Sequence, residues 1–201
     1  MNSIKILAPD KKTEKIALIM GHWLGDTFWA SQIIPALKEK YPASSIYVIL
    51  RRDFSKLFTG LVAPENIIIA PALVSDRRRE KVRIFRIISS GLKLADKYKF
   101  DWVLDLTGNR YSALFGRCLQ PRWFYGFNAS PLGFLYDCKI SIDQSKLNHL
   151  REQPYKVLEP VIGEITIPDI PRPPVAAFSK SEIFNKLKLD ENKPVAEYQE
   201  L

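Results

Sequence analysis

The chain has 201 residues, and 46% of them are hydrophobic, which excludes a disordered protein and allows a sizeable core. Two cysteines are too few for a disulfide scaffold and indicate a reducing compartment. The net charge of +8 favours anionic partners. No signal-peptide pattern occurs, and no apolar run approaches the roughly 20 residues of a membrane span, so we expect a soluble, cytoplasmic protein.

The first 128 residues alternate between short apolar runs and helical patterns. The apolar runs predict five strands, at 15–20, 45–50, 66–71, 102–107 and 123–127. The segments between them predict helices, at 26–41, near 52–58, at 77–99 and at 110–119. Pro35 is expected to kink the first of these helices or to end its first half. This alternation predicts an α/β fold, a Rossmann-like parallel sheet covered by helices, with strand 15–20 central.

The third of these helices is strongly basic. Residues 77–99, RRREKVRIFRIISSGLKLADKYK, contain nine Lys or Arg and two acids. Such a segment suits phosphates on a ligand, nucleic acid or anionic lipid, and the alternative is a solvated helix face. Gly91 is expected to weaken the helix. Five apolar residues recur at helical spacing and are expected to form its buried face: Ile84, Phe85, Ile88, Leu92 and Ala95.

Beyond residue 128 the pattern fades. Residues 128–143 are predicted as loop, and 146–161 as a helix in which Pro154 argues for a break. Four prolines in 167–175 predict an extended connector. A short helix is predicted at 179–189, and KPVA then begins like a strand.

The stretch GHWLGDTFWA, residues 21–30, lies where the first strand passes into a helix. Ligands of open parallel sheets bind beyond the carboxyl ends of strands. The stretch has neither the lysine of a phosphate loop nor a GxGxxG pattern, and Asp26 would compete with a phosphate for the same backbone N–H groups. Two interpretations of Asp26 stay open: a helix N-cap, or a carboxylate that accepts a proton from a substrate hydroxyl.

Four stretches resemble, in the same order, the family 9 glycosyltransferases, which are the ADP-heptose:lipopolysaccharide heptosyltransferases. Residues 16–50 are similar to the family's opening strand, Gly-Asp loop and helix ending in P-A-L-K-x-x-Y-P. Residues 101–119 resemble its D-L-x-G-x-x-x-S-A, residues 122–128 its R-x-x-G-F, and residues 149–163 a helix ending in L-E-P-L-G.

The resemblance implies a GT-B architecture, in which two Rossmann-like domains face a cleft. Residues 1–163 would form the acceptor-binding domain, 164–178 a connector, and 179–201 the start of a donor-binding domain. The Gly-Asp aspartate maps onto Asp26, which would act as general base in an inverting sugar transfer. No cofactor or metal ion is expected, because the sequence shows no ligand cluster and His22 and His149 lie far apart along it.

The implied function is transfer of a sugar from an ADP-heptose-like donor to the lipopolysaccharide core or a related anionic glycan, at the inner face of the membrane. Arg110 would pair with an acceptor phosphate or carboxylate, and the alternative is a solvent-facing arginine. The full set of expected acceptor contacts is Trp23, Gly25, Thr27, Asn109, Arg110 and Arg122.

The second hypothesis is a non-catalytic binding domain for an anionic glycan or lipid headgroup. A nucleic-acid partner is not expected, because the charge is accompanied by no recognisable motif. Since EYQEL ends the sequence where the family continues into its donor half, we expect this chain alone to be inactive and to bind ADP-sugars poorly.

Overall fold

The computed structural model describes residues 14–20, 24–51, 54–70, 73, 80–127, 130–140 and 152–163. The predictions for Trp23, the connector 164–178 and the segment 179–201 lie outside these residues. The strands are β1 (Lys15–Ile19), β2 (Ser45–Leu50), β3 (Ile67–Ile69), β4 (Trp102–Asp105), β5 (Trp123–Phe127) and β6 (Cys138–Ile140). The helices are α1 (Leu24–Ser31), α2 (Ile34–Lys40), α3 (Glu80–Tyr98), α4 (Arg110–Cys118) and α5 (Gln153–Ile162).

The six strands form one parallel sheet in the order β3-β2-β1-β4-β5-β6. The chain first builds outward from β1 to β3, then returns to the other side of β1 and builds outward again to β6. Strand β1 therefore lies in the middle of the sheet, between β2 and β4. This order confirms the predicted α/β, Rossmann-like fold and the central position of the first strand.

The sheet has a hydrophobic layer on each face. Alternate residues of β1 point to opposite sides, with Leu18 packing in the layer of α1, α2 and α5, and Ile19 in the layer of α3 and α4. Both layers are closed to solvent, since Leu37 of α2 and Phe115 of α4 are completely buried. Coverage on both faces explains why the strands are apolar runs without alternation.

The predicted helix 26–41 is two helices. It begins earlier, at Leu24, and breaks at residues 32–33. Pro35 lies in the first turn of α2, where its missing N–H group costs nothing, whereas further inside a helix it would remove a hydrogen bond. The prediction that Pro35 ends the first half is therefore confirmed. Pro154 holds the same position in the first turn of α5. Residues 146–151 of the predicted helix lie outside the described residues, so the predicted break at Pro154 stays a prediction.

The prediction of residues 128–143 as loop is wrong in part. A short 3₁₀ helix, Gly133–Leu135, is followed by β6, which pairs with β5. In β6 the side chains of Cys138 and Ile140 are buried and that of Lys139 is exposed. The three residues of β6 show too short an alternation to be recognised as a strand from the sequence, and the segment before them contains glycine, proline and serine, which indicate a loop.

The predicted buried face of α3 is also wrong in part. Ala95 is buried as expected, but the helix contacts the rest of the protein through Ile87 and Gly91, while Phe85 and Leu92 are exposed. At Gly91 the helices α3 and α4 lie in close contact, because a Cβ atom there would lie 2.5 Å from the Cβ of Cys118. Close packing of α3 on α4 therefore buries the side of α3 that carries the glycine, although this side is not its most hydrophobic one.

Candidate functional site

The order of the strands reverses between β1 and β4, which are neighbours in the sheet but are followed by connections that lead in opposite directions. Beyond the carboxyl ends of such a pair the two connections diverge and leave a crevice, which is the usual ligand site of open α/β sheets. We call this region the switch crevice. It lies between the β1–α1 and β4–α4 connections.

On the β1 side, the crevice is bordered by the first turn of α1. Gly25 and Asp26 are exposed there, and no atom of the described residues lies within 4 Å of the place where a Cβ of Gly25 would be. Asp26 is the third residue of the helix, so the N-cap interpretation is wrong. The carboxylate still stabilises the positive end of the helix dipole. Thr27 is fully buried, so the structure does not bring it to the crevice surface with Asp26.

On the β4 side, the strand ends at Asp105, whose side chain is completely buried. The backbone N–H groups of Thr107 and Gly108 donate to its Oδ1 atom at 2.9 and 3.3 Å, and the Thr107 hydroxyl lies 2.8 Å from the same atom. The hydroxyls of Ser112 and Tyr136 donate to Oδ2 at 2.6 and 2.7 Å. One carboxylate thus fixes the whole turn that borders the crevice.

The turn continues into a capped helix. The Oδ1 atom of Asn109 accepts hydrogen bonds from the backbone N–H groups of Tyr111 and Ser112 at 2.9 and 3.0 Å, which makes it the N-cap of α4. Its Nδ2 atom donates to the Thr107 hydroxyl at 2.8 Å. Gly108 has a φ of 63°, a conformation that a residue with a side chain rarely adopts. The predicted acceptor residue Asn109 is therefore occupied in building the turn.

Tyr136 reaches Asp105 across β5. Its ring covers Gly126, where a Cβ atom would lie only 2.1 Å from the ring. The hydroxyl then extends to the Asp105 carboxylate on the next strand. A glycine at position 126 is required for this path, because any side chain there would displace the ring.

The surroundings of Asp105 act on its pKa in opposite directions. Burial raises the pKa above the ordinary value of 3.8, and the hydrogen bonds from Ser112, Tyr136 and Thr107 lower it only in part. The pKa of Tyr136 is raised as well, first by burial and then by the neighbouring carboxylate. The tyrosine therefore keeps its proton and donates a hydrogen bond to Asp105.

The two predicted arginines lie at different edges of the sheet. Arg110 is the first residue of α4 and is exposed beside the switch crevice, where its guanidinium donates to the Tyr111 hydroxyl at 2.7 Å and lies over that ring. Arg122 precedes β5, and its backbone N–H donates to the Phe100 carbonyl, at the amino edge. The length of a strand, roughly 15 Å, separates Arg122 from the switch crevice. The structure brings Arg110 and Asp26 to the same edge of the sheet. That Arg122 contacts the acceptor stays a prediction.

Metal sites and membrane-spanning helices are both absent from the described ranges. These ranges contain no group of three or more His, Cys, Asp or Glu side chains that could hold a metal ion. Within the same ranges, no helix combines the length and the apolar character that crossing a bilayer requires.

Sequence reasoning did not single out Asp105, Ser112 or Tyr136 as parts of the site. The signal for the first two was present, because an acid that ends a buried strand and a serine seven residues later are both fixed letters of the D-L-x-G-x-x-x-S-A pattern. Tyr136 gave no such signal, since its contact with Asp105 depends on the pairing of β5 with β6.

No protein-family model matches the chain, and no curated protein matches it in sequence. Its structure, however, resembles solved structures of heptosyltransferases. The chain superposes on ADP-heptose lipopolysaccharide heptosyltransferase II of E. coli with a TM-score of 0.62 and 17% identity, over 90% of this chain and 52% of the other. For a family 9 glycosyl transferase from Veillonella parvula the TM-score is 0.69 at 16% identity, over 92% and 53%.

The E. coli heptosyltransferase WaaC with ADP-2-deoxy-2-fluoro heptose superposes with a TM-score of 0.58 and 18% identity, over 78% of this chain and 50% of the other. The chain thus spans about half the length of these proteins. At this level of identity the similarity shows the fold: a six-stranded parallel sheet with helices, matching one half of a GT-B heptosyltransferase.

Proposed function

We propose that the chain is the acceptor-binding half of a heptosyltransferase-type glycosyltransferase. Such an enzyme transfers a sugar from an ADP-heptose-like donor to the lipopolysaccharide core or a related anionic glycan. The observation that carries the proposal is the pair of borders of the switch crevice. One border presents the exposed Asp26, and the other is a turn held rigid by the buried Asp105.

The exposure and position of Asp26 support its assignment as the general base. Its side chain is exposed in the first turn of α1, beside a glycine that leaves space for a ligand. In the proposed step the carboxylate takes the proton of an acceptor hydroxyl while that oxygen bonds to the anomeric carbon of the donor sugar. The bond from the anomeric carbon to the nucleotide phosphate breaks, its electrons leave with the phosphate oxygen, and the configuration inverts.

Arg110 supplies positive charge on the opposite border. Its guanidinium is exposed at the start of α4 and is oriented by the Tyr111 ring and hydroxyl. A guanidinium binds a phosphate or carboxylate through two parallel hydrogen bonds, so it suits an anionic acceptor. The donor would be bound by the other half of the GT-B architecture.

The proposal is tested by titrating the 201-residue chain with core oligosaccharide released from lipopolysaccharide, followed by amide NMR. We expect signals of residues 24–27 and 107–110 to shift, and Arg110→Gln to weaken binding about tenfold because it removes a charge-assisted hydrogen bond. Lys99→Gln, which changes an exposed lysine between α3 and β4 at the amino edge, is the matched control and should bind normally if the crevice is the site.

Three outcomes would contradict the proposal. They are the absence of binding at millimolar oligosaccharide, shifts confined to the amino edge of the sheet, and micromolar binding of ADP-heptose, which would assign the chain to the donor side. A non-catalytic binding domain predicts the same oligosaccharide binding, and the Asp26 variant described in the Discussion separates it from an enzyme.

A further inference from the structure

Helix α3 carries large hydrophobic side chains on its outer side. Phe85 is 73% exposed, Leu92 44% and Ile84 38%, and Ile88 between them is half-buried. Positions 84, 85, 88 and 92 follow helical spacing and form one continuous strip. We call this strip the α3 stripe. Exposed hydrophobic residues are common singly, but a contiguous strip that includes a largely exposed Phe indicates a contact surface.

The exposed charges of α3 are mainly positive, and they lie on the helix face that adjoins the α3 stripe, about 100° around the axis from Phe85 and Leu92. Arg86, Lys93 and Lys97 are exposed on the same helix, and Asp96 is the exposed acid among its described side chains. The sequence around them, residues 77–99, has nine basic residues and two acids. An apolar strip with lysine and arginine on the adjoining face of the same helix is typical of a helix that lies in the interface of an anionic bilayer.

The α3 stripe begins at the same edge of the sheet as the switch crevice. The last turn of α3 lies at the amino edge, because the carbonyl of Tyr98 accepts a hydrogen bond from Lys15 Nζ at the start of β1. The first turns, with Ile84 and Phe85, therefore lie toward the carboxyl edge. Phe134, which is 71% exposed, follows β5 at that edge and belongs to a segment that packs on the α3 and α4 face.

We propose that the α3 stripe docks on a membrane surface that contains anionic lipids. Phe85, Ile84 and Leu92 enter the boundary between headgroups and acyl chains, and Arg86 and Lys93 contact the lipid phosphates. A nucleic acid or a soluble phosphate would engage the basic side chains but not the aliphatic ones. A protein partner would cover the apolar strip, but the excess of basic residues fits a densely negative surface better.

This inference stands apart from the proposed transfer reaction, because it depends on α3 and not on Asp26 or Arg110. Its consequence is spatial. Docking through the first turns of α3 holds the carboxyl edge of the sheet, and with it the switch crevice, close to the lipid headgroups.

The test is co-sedimentation of the 201-residue chain with phosphatidylcholine vesicles that contain or lack about one third phosphatidylglycerol. We expect binding to the anionic vesicles that weakens with rising salt, since exposed charges are screened. Phe85→Ser should lower the partition coefficient about tenfold or more, because it removes a buried aromatic side chain from the bound state. The double variant Arg86→Gln, Lys93→Gln should lower it about 25-fold, which is about fivefold for each charge.

The matched control is Lys38→Gln with Lys40→Gln, which removes two exposed basic side chains from α2 on the opposite face of the sheet. These changes should leave vesicle binding within about twofold of the unchanged chain, and every variant should unfold at the same denaturant concentration because the substituted side chains are exposed.

Several results would overturn the proposal. The chain could fail to bind anionic vesicles, or Phe85→Ser and the control could bind equally well. If Phe85→Ser instead turned a dimer into a monomer without changing vesicle binding, the α3 stripe would be an interface between two copies of the chain. If the chain retained RNA and Phe85→Ser left vesicle and RNA binding unchanged, the basic residues would serve nucleic acid.

Discussion

Asp26 and Asp105 follow neighbouring strands at the same edge of the sheet, yet their surroundings are opposite. Asp26 is exposed in the first turn of a helix, while Asp105 is completely buried and accepts hydrogen bonds from Ser112, Tyr136 and the Thr107 turn. A carboxylate whose oxygens are all engaged can orient a loop but cannot take a proton from a substrate. The comparison therefore assigns a structural role to Asp105, whereas the proposed chemistry belongs to the exposed Asp26.

The largest expected effect is on catalysis by Asp26→Asn. Asparagine keeps the volume but cannot take a proton at neutral pH, so transfer should fall by a factor of about 10² to 10⁴. The loss of charge at a helix N-terminus should lower the free energy of unfolding by less than about 1 kcal/mol. Transfer is measured with ADP-heptose and core oligosaccharide in a polypeptide that joins this chain to a donor-binding domain.

Glu39→Gln, which neutralises an exposed acid on the next helix, is the control and should transfer normally. If Asp26→Asn retains transfer within about threefold of the unchanged chain, Asp26 is not the base. Unchanged oligosaccharide binding together with no transfer by either protein would favour the non-catalytic binding domain.

The second effect is on stability, through Asp105→Ala. Removal of the carboxylate leaves the hydroxyls of Ser112 and Tyr136 and the Thr107 amide without their acceptor inside the protein, so the free energy of unfolding should fall by about 3 kcal/mol. Urea unfolding measures it. Asp96→Ala, an exposed aspartate on α3, should change it by less than about 0.5 kcal/mol. Equal values for the two variants would mean that Asp105 does not anchor the turn.

The third effect concerns pH and is spread over several pH units. Because burial raises the pKa of Asp105, the folded protein keeps this proton to a higher pH than the unfolded chain does. Above the ordinary pKa of 3.8, the contribution of Asp105 to stability therefore decreases as pH rises, by at most about 1.4 kcal/mol per unit. The measurement compares urea unfolding of the wild type and Asp105→Asn between pH 4 and 8. If the wild type instead gains stability relative to Asp105→Asn as pH rises, the hydrogen bonds to Asp105 outweigh the effect of burial on its pKa.

Much of this fold could be predicted from the sequence, because the central strands are apolar on both faces and are bounded by polar residues. The predicted ranges 45–50 and 123–127 coincide with β2 and β5. The carboxyl-edge position of Asp26 and Arg110 followed from the same alternation. Each of these features depends on local pattern, together with the rule that ligands bind beyond the carboxyl ends of parallel strands.

What could not be predicted depends on contacts between distant residues. The buried side of α3 is set by Gly91 against Cys118, and hydrophobic spacing alone favoured another side. Tyr136 meets Asp105 only because β6 pairs with β5 and Gly126 leaves room for the ring. Asp26 and Asp105 are the same residue type near the same edge of the sheet, and the packing around Asp105 is what distinguishes an anchor from a candidate base.

The two outermost strands of the sheet have a consequence for aggregation. β3 and β6 are each three residues long, whereas β2 has six. An unpaired strand edge is a template on which a second chain can add, and this tendency grows with the length of the edge. On the β3 side the described sheet therefore ends in an edge too short to recruit another strand, which leaves little backbone there for fibril growth.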